Sequence, residues 1–216
     1  MDRENDVKVG AKNIPAYKKT AFWLWCVAGL IVVAGLLVGL PEEAVSLPDF
    51  AYQEDDPLQK LVYRVEVERN SNQRGFTIVA PRIHGHYRQG ERLKIFVTTH
   101  SGTYQLNGKA LSLICGCVVP AALTFEKDYD GNYTLLDYRQ AQDGAGFAPS
   151  IREFCNLPIS GQEIAGLAEQ ILAHYGDYGD LRALHMDNLS AHLQVHGQTG
   201  VTLSTPAGET ILLTAY

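Results

Sequence analysis

Residues 115–140, CGCVVPAALTFEKDYDGNYTLLDYRQ, bring together the residue types most able to do chemistry in this chain. On a calcium-loop template Glu126, Asp128 and Asp130 take positions one, three and five, with Gly131 at the sharp turn and Asp137 at the last ligand. A loop of that kind needs a helix on each side and a glutamate long enough to bind both oxygens at its final position. Here VVPAALTF and YTLLDY are β-patterned, and Asp137 is a methylene short. Asp and Gly are what a hairpin tip uses, so Asp130-Gly131 is read as a turn and not as a metal loop.

On a strand Cys115 and Cys117 share a face with Leu111, Leu113 and Val119, which predicts two thiols packed on an apolar layer. Cys155 follows in a helical stretch. A bridge from Cys155 to Cys115 or Cys117 is the disulfide candidate, since Cys115 and Cys117 paired with each other would be strained. Three thiolates and a histidine would make a soft-metal site. Among the histidines, His192 and His196 in HLQVH have the spacing of a zinc-peptidase pair but lack the glutamate that acts as base. His84-Gly-His86 lies near a turn with Arg82 and Arg88. All four are read as solvated face residues, with weak metal binding at His192 and His196 as the other reading.

Nucleophilic catalysis has no footing. Ser101, Ser112 and Ser190 sit in no GxSxG elbow. Gly144-Ala145-Gly146 has no P-loop lysine after it. No cofactor is expected. The net charge of −6 and pI near 5.6 exclude an electrostatic case for nucleic acid.

The elements that must hold these residues begin with Ala21–Leu40, AFWLWCVAGLIVVAGLLVGL, a run without charge or proline. As a helix it covers roughly 30 Å, the thickness of the hydrocarbon core. Trp23 and Trp25 stand where aromatic rings favour the headgroup level. Cys26 lies too early in the run for lipid attachment. Lys8, Lys12, Lys18 and Lys19 precede the span, and acidic residues follow it. The positive-inside rule therefore predicts a cytoplasmic tail (1–20), a membrane helix (21–40) and everything else outside. A tail that short forms no output domain.

Residues 41–58 read as a linker, with three prolines and an acidic cluster. Residues 59–216 read as one α+β domain, an antiparallel β-sheet with helices packed on one face. LVYRVEVER alternates and predicts a strand. A second extended stretch spans about 75–87, and Asn107-Gly108 and Asp130-Gly131 punctuate a three-strand meander. Pro149 opens a short helix. Ser160 and Glu163 form a capping box for SGQEIAGLAEQILAHYG, whose apolar positions make one stripe. A further helix is expected at Asp180–Asn188, then a strand in AHLQVH and a hairpin around Pro206-Ala207-Gly208.

The run PAALTFEKD (120–128), the DG turn, Leu136–Tyr138, Asp143-Gly144 and APSIREF (148–154) resemble a small extracytoplasmic domain of Firmicutes. That domain follows the membrane metallopeptidase region of β-lactam-sensing antirepressor-like proteins and also occurs in stand-alone anchored proteins. The resemblance covers about Gly90 to Asn156 and implies an outward-facing Gram-positive membrane protein, a sensor accessory. It carries over neither the peptidase, for there is no HExxH, nor penicillin acylation, for there is no SxxK. Cys115 and Cys117 depart from the family pattern, which commonly has no cysteine there.

The expectation is a non-catalytic binding or sensor-accessory module that touches the bilayer through 21–40 and an envelope or membrane protein through its outer domain. One alternative is an envelope enzyme or metal-binding module using the histidines and cysteines. The other is an accessory subunit recognised through its membrane helix, where Gly35 and Gly39 form one GxxxG.

Overall fold

A computed structural model describes residues 44–156, 164–204 and 209–214. The expected tail and membrane span, Cys26, the Ser160–Glu163 capping box and the Pro206–Gly208 turn lie outside these residues. Among the described residues no helix is long and apolar enough to cross a membrane.

The domain is mixed α+β. The chain runs β1 (Ala44–Val45), α1 (Pro57–Asn70), β2 (Phe76–Gln89), β3 (Arg92–Asn107), β4 (Ala110–Lys127) and β5 (Tyr133–Gln140). Then come α2 (Phe147–Cys155), α3 (Leu167–Gly176), α4 (Gly179–Val195), β6 (Thr202–Ser204) and β7 (Thr210–Leu212). Seven strands form one sheet. Strands β3 to β5 make the expected three-strand meander and β2 extends it by one, the turns falling at Gly90, Gly108 and Gly131, each with a positive φ. Such a φ costs glycine little and other residues more. The sheet is not wholly antiparallel: β6 runs parallel to β4, with Ala110 opposite Thr202 and Leu111 opposite Leu203.

The segment LVYRVEVER is a helix, not a strand. Its alternation is one of two patterns it carries. Leu58, Leu61, Val62 and Val65 also fall at i, i+3, i+4 and i+7, a helical stripe, and the start signal decides between them. The Asp56 carboxylate accepts from the amides of Leu58 at 2.8 Å and Gln59 at 3.2 Å, and Pro57 occupies the first turn. Of the stretch expected as a linker, the described residues 44–58 are part of the folded body. Val45, Leu47 and Phe50 pack on the core, and the Phe50 amide donates to the Thr77 carbonyl at the outer edge of β2.

Helices cover both faces of the sheet instead of one. On the first face Leu61, Val62 and Val65 of α1 pack on Leu93, Ile95, Val97, Leu123 and Phe125. On the second, α2 and α3 bury Ile151, Phe154, Cys155 and Ile171 against Phe96 and Ala122. There too α4 sets Leu189 and Leu193 on Phe76, Ile78 and Tyr104. Each such side chain withdrawn from water contributes about 2 kcal/mol. AHLQVH is likewise not a strand but the last turns of α4, because Leu181, His185, Leu189, His192 and Leu193 line one helical face.

Candidate functional site

The acidic hairpin carries no ligand cage. Asp128 accepts from the Asn132 amide at 2.8 Å and so closes the turn itself, while Asp137 is held by Arg139 at 2.8 Å. Among the described residues no group of three His, Cys, Asp or Glu side chains is placed to hold a metal ion.

The cysteines are not where alternation alone puts them. Leu113 pairs with Tyr104 and Cys115 with Thr103, so Ile114 is an extra residue, a β-bulge. One inserted residue reverses the facing of everything beyond it. Leu111 stays with the α4 layer, but Cys115 and Cys117 turn to the face that α1 covers. Helix α1 ends at Asn70, short of them, and both thiols are exposed. The Cys117 sulfur meets the Ser101 hydroxyl at 3.3 Å, and that hydroxyl donates to Asn70 Oδ1 at 3.2 Å. Cys155 is buried on the opposite face beside Phe96 and Ala122. The sheet stands between it and the other two, and no disulfide joins them.

Histidines are gathered inside, on the second face. His100 and His185 stack with ring centroids 4.1 Å apart. His185 Nε2 meets the Tyr104 hydroxyl at 2.9 Å, and its Nδ1 lies 3.3 Å from the His100 carbonyl oxygen. His84, the bulge residue of β2, bonds the Thr98 hydroxyl at 2.9 Å and sits edge-on to His174. His174 Nε2 reaches Asp180 Oδ1 at 2.7 Å, and Asp180 also pairs with Arg82. His192 is buried against Phe76, with His196 edge-on at 4.6 Å, so the predicted solvated pair is half core and half surface.

Burial disfavours the charged imidazolium, and a neighbouring histidine adds to the effect. It pushes His84 and His192 down to about 4 and His185 to about 3. The burial of Asp180 works to raise its carboxyl, but hydrogen bonds from Arg82 and His174 outweigh that and hold it low. The histidine bonds run to Thr98, Tyr104, Asp180 and a backbone carbonyl. Thr98 is fully buried, which shuts that hydroxyl off from any substrate. The band is not fully satisfied: among the described residues the Nδ1 atoms of His100 and His174 and the Nε2 of His192 are buried without a hydrogen-bond partner.

Two features had no expectation attached. Glu66 of α1 is buried, and Tyr138 donates to its carboxyl at 3.0 Å. Burial pushes that carboxyl up to about 7, against the pull of the Tyr138 hydrogen bond and of Arg69. The only sequence signal was a glutamate one turn beyond Val62, at the margin of the apolar stripe. The second is an open edge. On the side of β4 away from β3, β6 pairs at Ala110–Leu111 and β5 from Ala121 onward, and the Pro120 carbonyl accepts from Ala141. Among the described residues nothing is laddered to that side of 112–119, SLICGCVV, whose members from Ser112 to Cys117 are all exposed. Strand edges are normally guarded by charge or cover, and this stretch holds no charged residue. No family model, no curated protein and no solved structure matches the chain.

Proposed function

We propose that this chain is a non-catalytic binding module, held at a membrane by residues 21–40 and facing outward, which recognises an extended segment of a partner protein along β4. The observation that carries this reading is the open side of 112–119, away from β3. Alternate residues of a strand turn their amide and carbonyl groups to the open side, and what satisfies such a row is another strand. Eight residues give roughly 27 Å of edge at 3.4 Å per residue. The stretch is stopped at one end by β6 and at the other by β5, so it takes a short peptide but not the long edge of a second sheet. That argues for a partner's segment over a second copy of this chain. The outward orientation rests on the lysines before Ala21 and the acidic residues after Leu40.

A photocrosslinking residue in place of Leu113, in the full chain in its native membrane, tests the reading. A discrete adduct formed from position 113 but not from exposed Tyr129 is the expected result. Equal adducts from both positions, or none from 113, would overturn it.

A further inference from the structure

We infer that the groove between the first half of α1, the end of β2 and the start of β5 is a binding site for an anionic amphiphile, a carboxylate or phosphate carried on a short apolar chain. The groove has a volume of about 440 Å³, within the range of small-molecule sites. Its floor is Leu58, Leu61 and Tyr133, the exposed flank of the α1 core. Its walls carry Lys60, Arg64, His86 and Arg88 and no acidic residue. In a chain with 24 acidic and 18 basic side chains that is a local reversal of sign.

Arg64 and Arg88 are also left without an ion pair. Lys60 pairs with Asp55, but among the described residues no carboxylate ion-pairs with Arg64 or Arg88. Arg64 donates to the Tyr133 carbonyl at 3.1 Å, and Arg88 lies 5.9 Å from the Tyr133 ring, so both guanidinium groups are drawn to one end of the floor. Guanidinium groups with spare donors suit a carboxylate or phosphate head. The leucine floor beside them asks for hydrocarbon. The site is one-sided: across the β4–β5 hairpin a second groove sets three carboxylates, Glu91, Glu126 and Asp128, against the single cation Lys127, so an anion is steered to the first and away from the other.

The test uses the full chain in neutral-lipid discs, titrated calorimetrically with octyl phosphate, octanoate, octyl glucoside and inorganic phosphate, with empty discs as reference. Octyl phosphate and octanoate should bind at least about tenfold more tightly than the uncharged glucoside or the chainless phosphate. The double variant R64Q/R88Q should lose at least about tenfold for the two amphiphilic anions. Its melting temperature should stay unchanged, and R92Q at the far edge should bind as the parent does. Discs made with an anionic lipid separate the sources: displacement of octyl phosphate assigns the head to the bilayer, and no displacement assigns it to a diffusible molecule, either supporting the shared chemistry. Glucoside binding equal to octyl phosphate, or affinity indifferent to R64Q/R88Q, would overturn the site.

Discussion

The Tyr138 hydroxyl reaches from β5 across the first face of the sheet and donates to the carboxyl of Glu66 on α1 at 3.0 Å, tying helix to sheet inside the core. The guanidinium of Arg69 lies 3.7 Å over the Tyr138 ring and closes the arrangement from outside. With the carboxyl pushed up to about 7, Glu66 is protonated through the mildly acidic range. A group whose folded value is raised contributes its full stability below the unfolded value near 4.5 and loses it as pH rises toward 7. E66Q keeps the shape and removes the charge. It should match the parent to within about 1 kcal/mol near pH 5 and be the more stable of the two near pH 8. Urea unfolding at both pH values checks the crossing.

The histidine band sets the opposite slope. His84, His185 and His192 are held below the ordinary imidazole value, so the unfolded chain binds more protons than the folded one once pH falls below about 6.5. Their stability is whole above that point and is lost on acidification toward their folded values. For His185, the most enclosed of the three, the loss is about 1.4 kcal/mol per pH unit. Three such groups outweigh the single carboxyl of Glu66, and the domain should melt lower at about pH 5 than at about pH 7. A melting temperature flat over that range would contradict the neutral, buried assignment.

Tyr104→Phe removes the hydroxyl that meets His185 Nε2 and leaves a buried ring nitrogen without its partner. The cost should be about 1–2 kcal/mol near pH 7. Asp56→Ala removes the side chain that accepts from the Leu58 and Gln59 amides and should cost about 1 kcal/mol, confined to α1. Hydrogen exchange separates the two, with the first loosening α4 against the sheet and the second fraying the start of α1.

Exposed Cys115 and Cys117 give a direct assay of orientation, since buried Cys155 is shielded from reagents. A membrane-impermeant maleimide should label intact cells, and C115S/C117S should abolish the signal. Labelling that appears only after lysis would put the domain on the inner side and remove the outward half of the proposed function.

The meander was legible because Gly108 and Gly131 sit between long apolar arms, a local signal that tertiary contacts only reinforce. Residues 59–69 were not, since Val-rich alternation satisfies a period of two as readily as a helical stripe, and only Asp56-Pro57 separates them. Helix α4 ran past its expected end because HLQVH alternates over too few residues to outweigh a stripe begun at Leu181. The bulge at Ile114 has no sequence signature, so the facing of both exposed thiols was inverted. His100 and His185 lie 85 residues apart and meet only through the packing of α4 on β3. No spacing rule foretells such an encounter.

That single supernumerary residue in β4 has a consequence for maturation. With Cys155 buried on the opposite face of the sheet from Cys115 and Cys117, the native domain needs no bridge to Cys155. Once the two exposed thiols are alkylated, preparations kept with and without dithiothreitol should therefore melt alike.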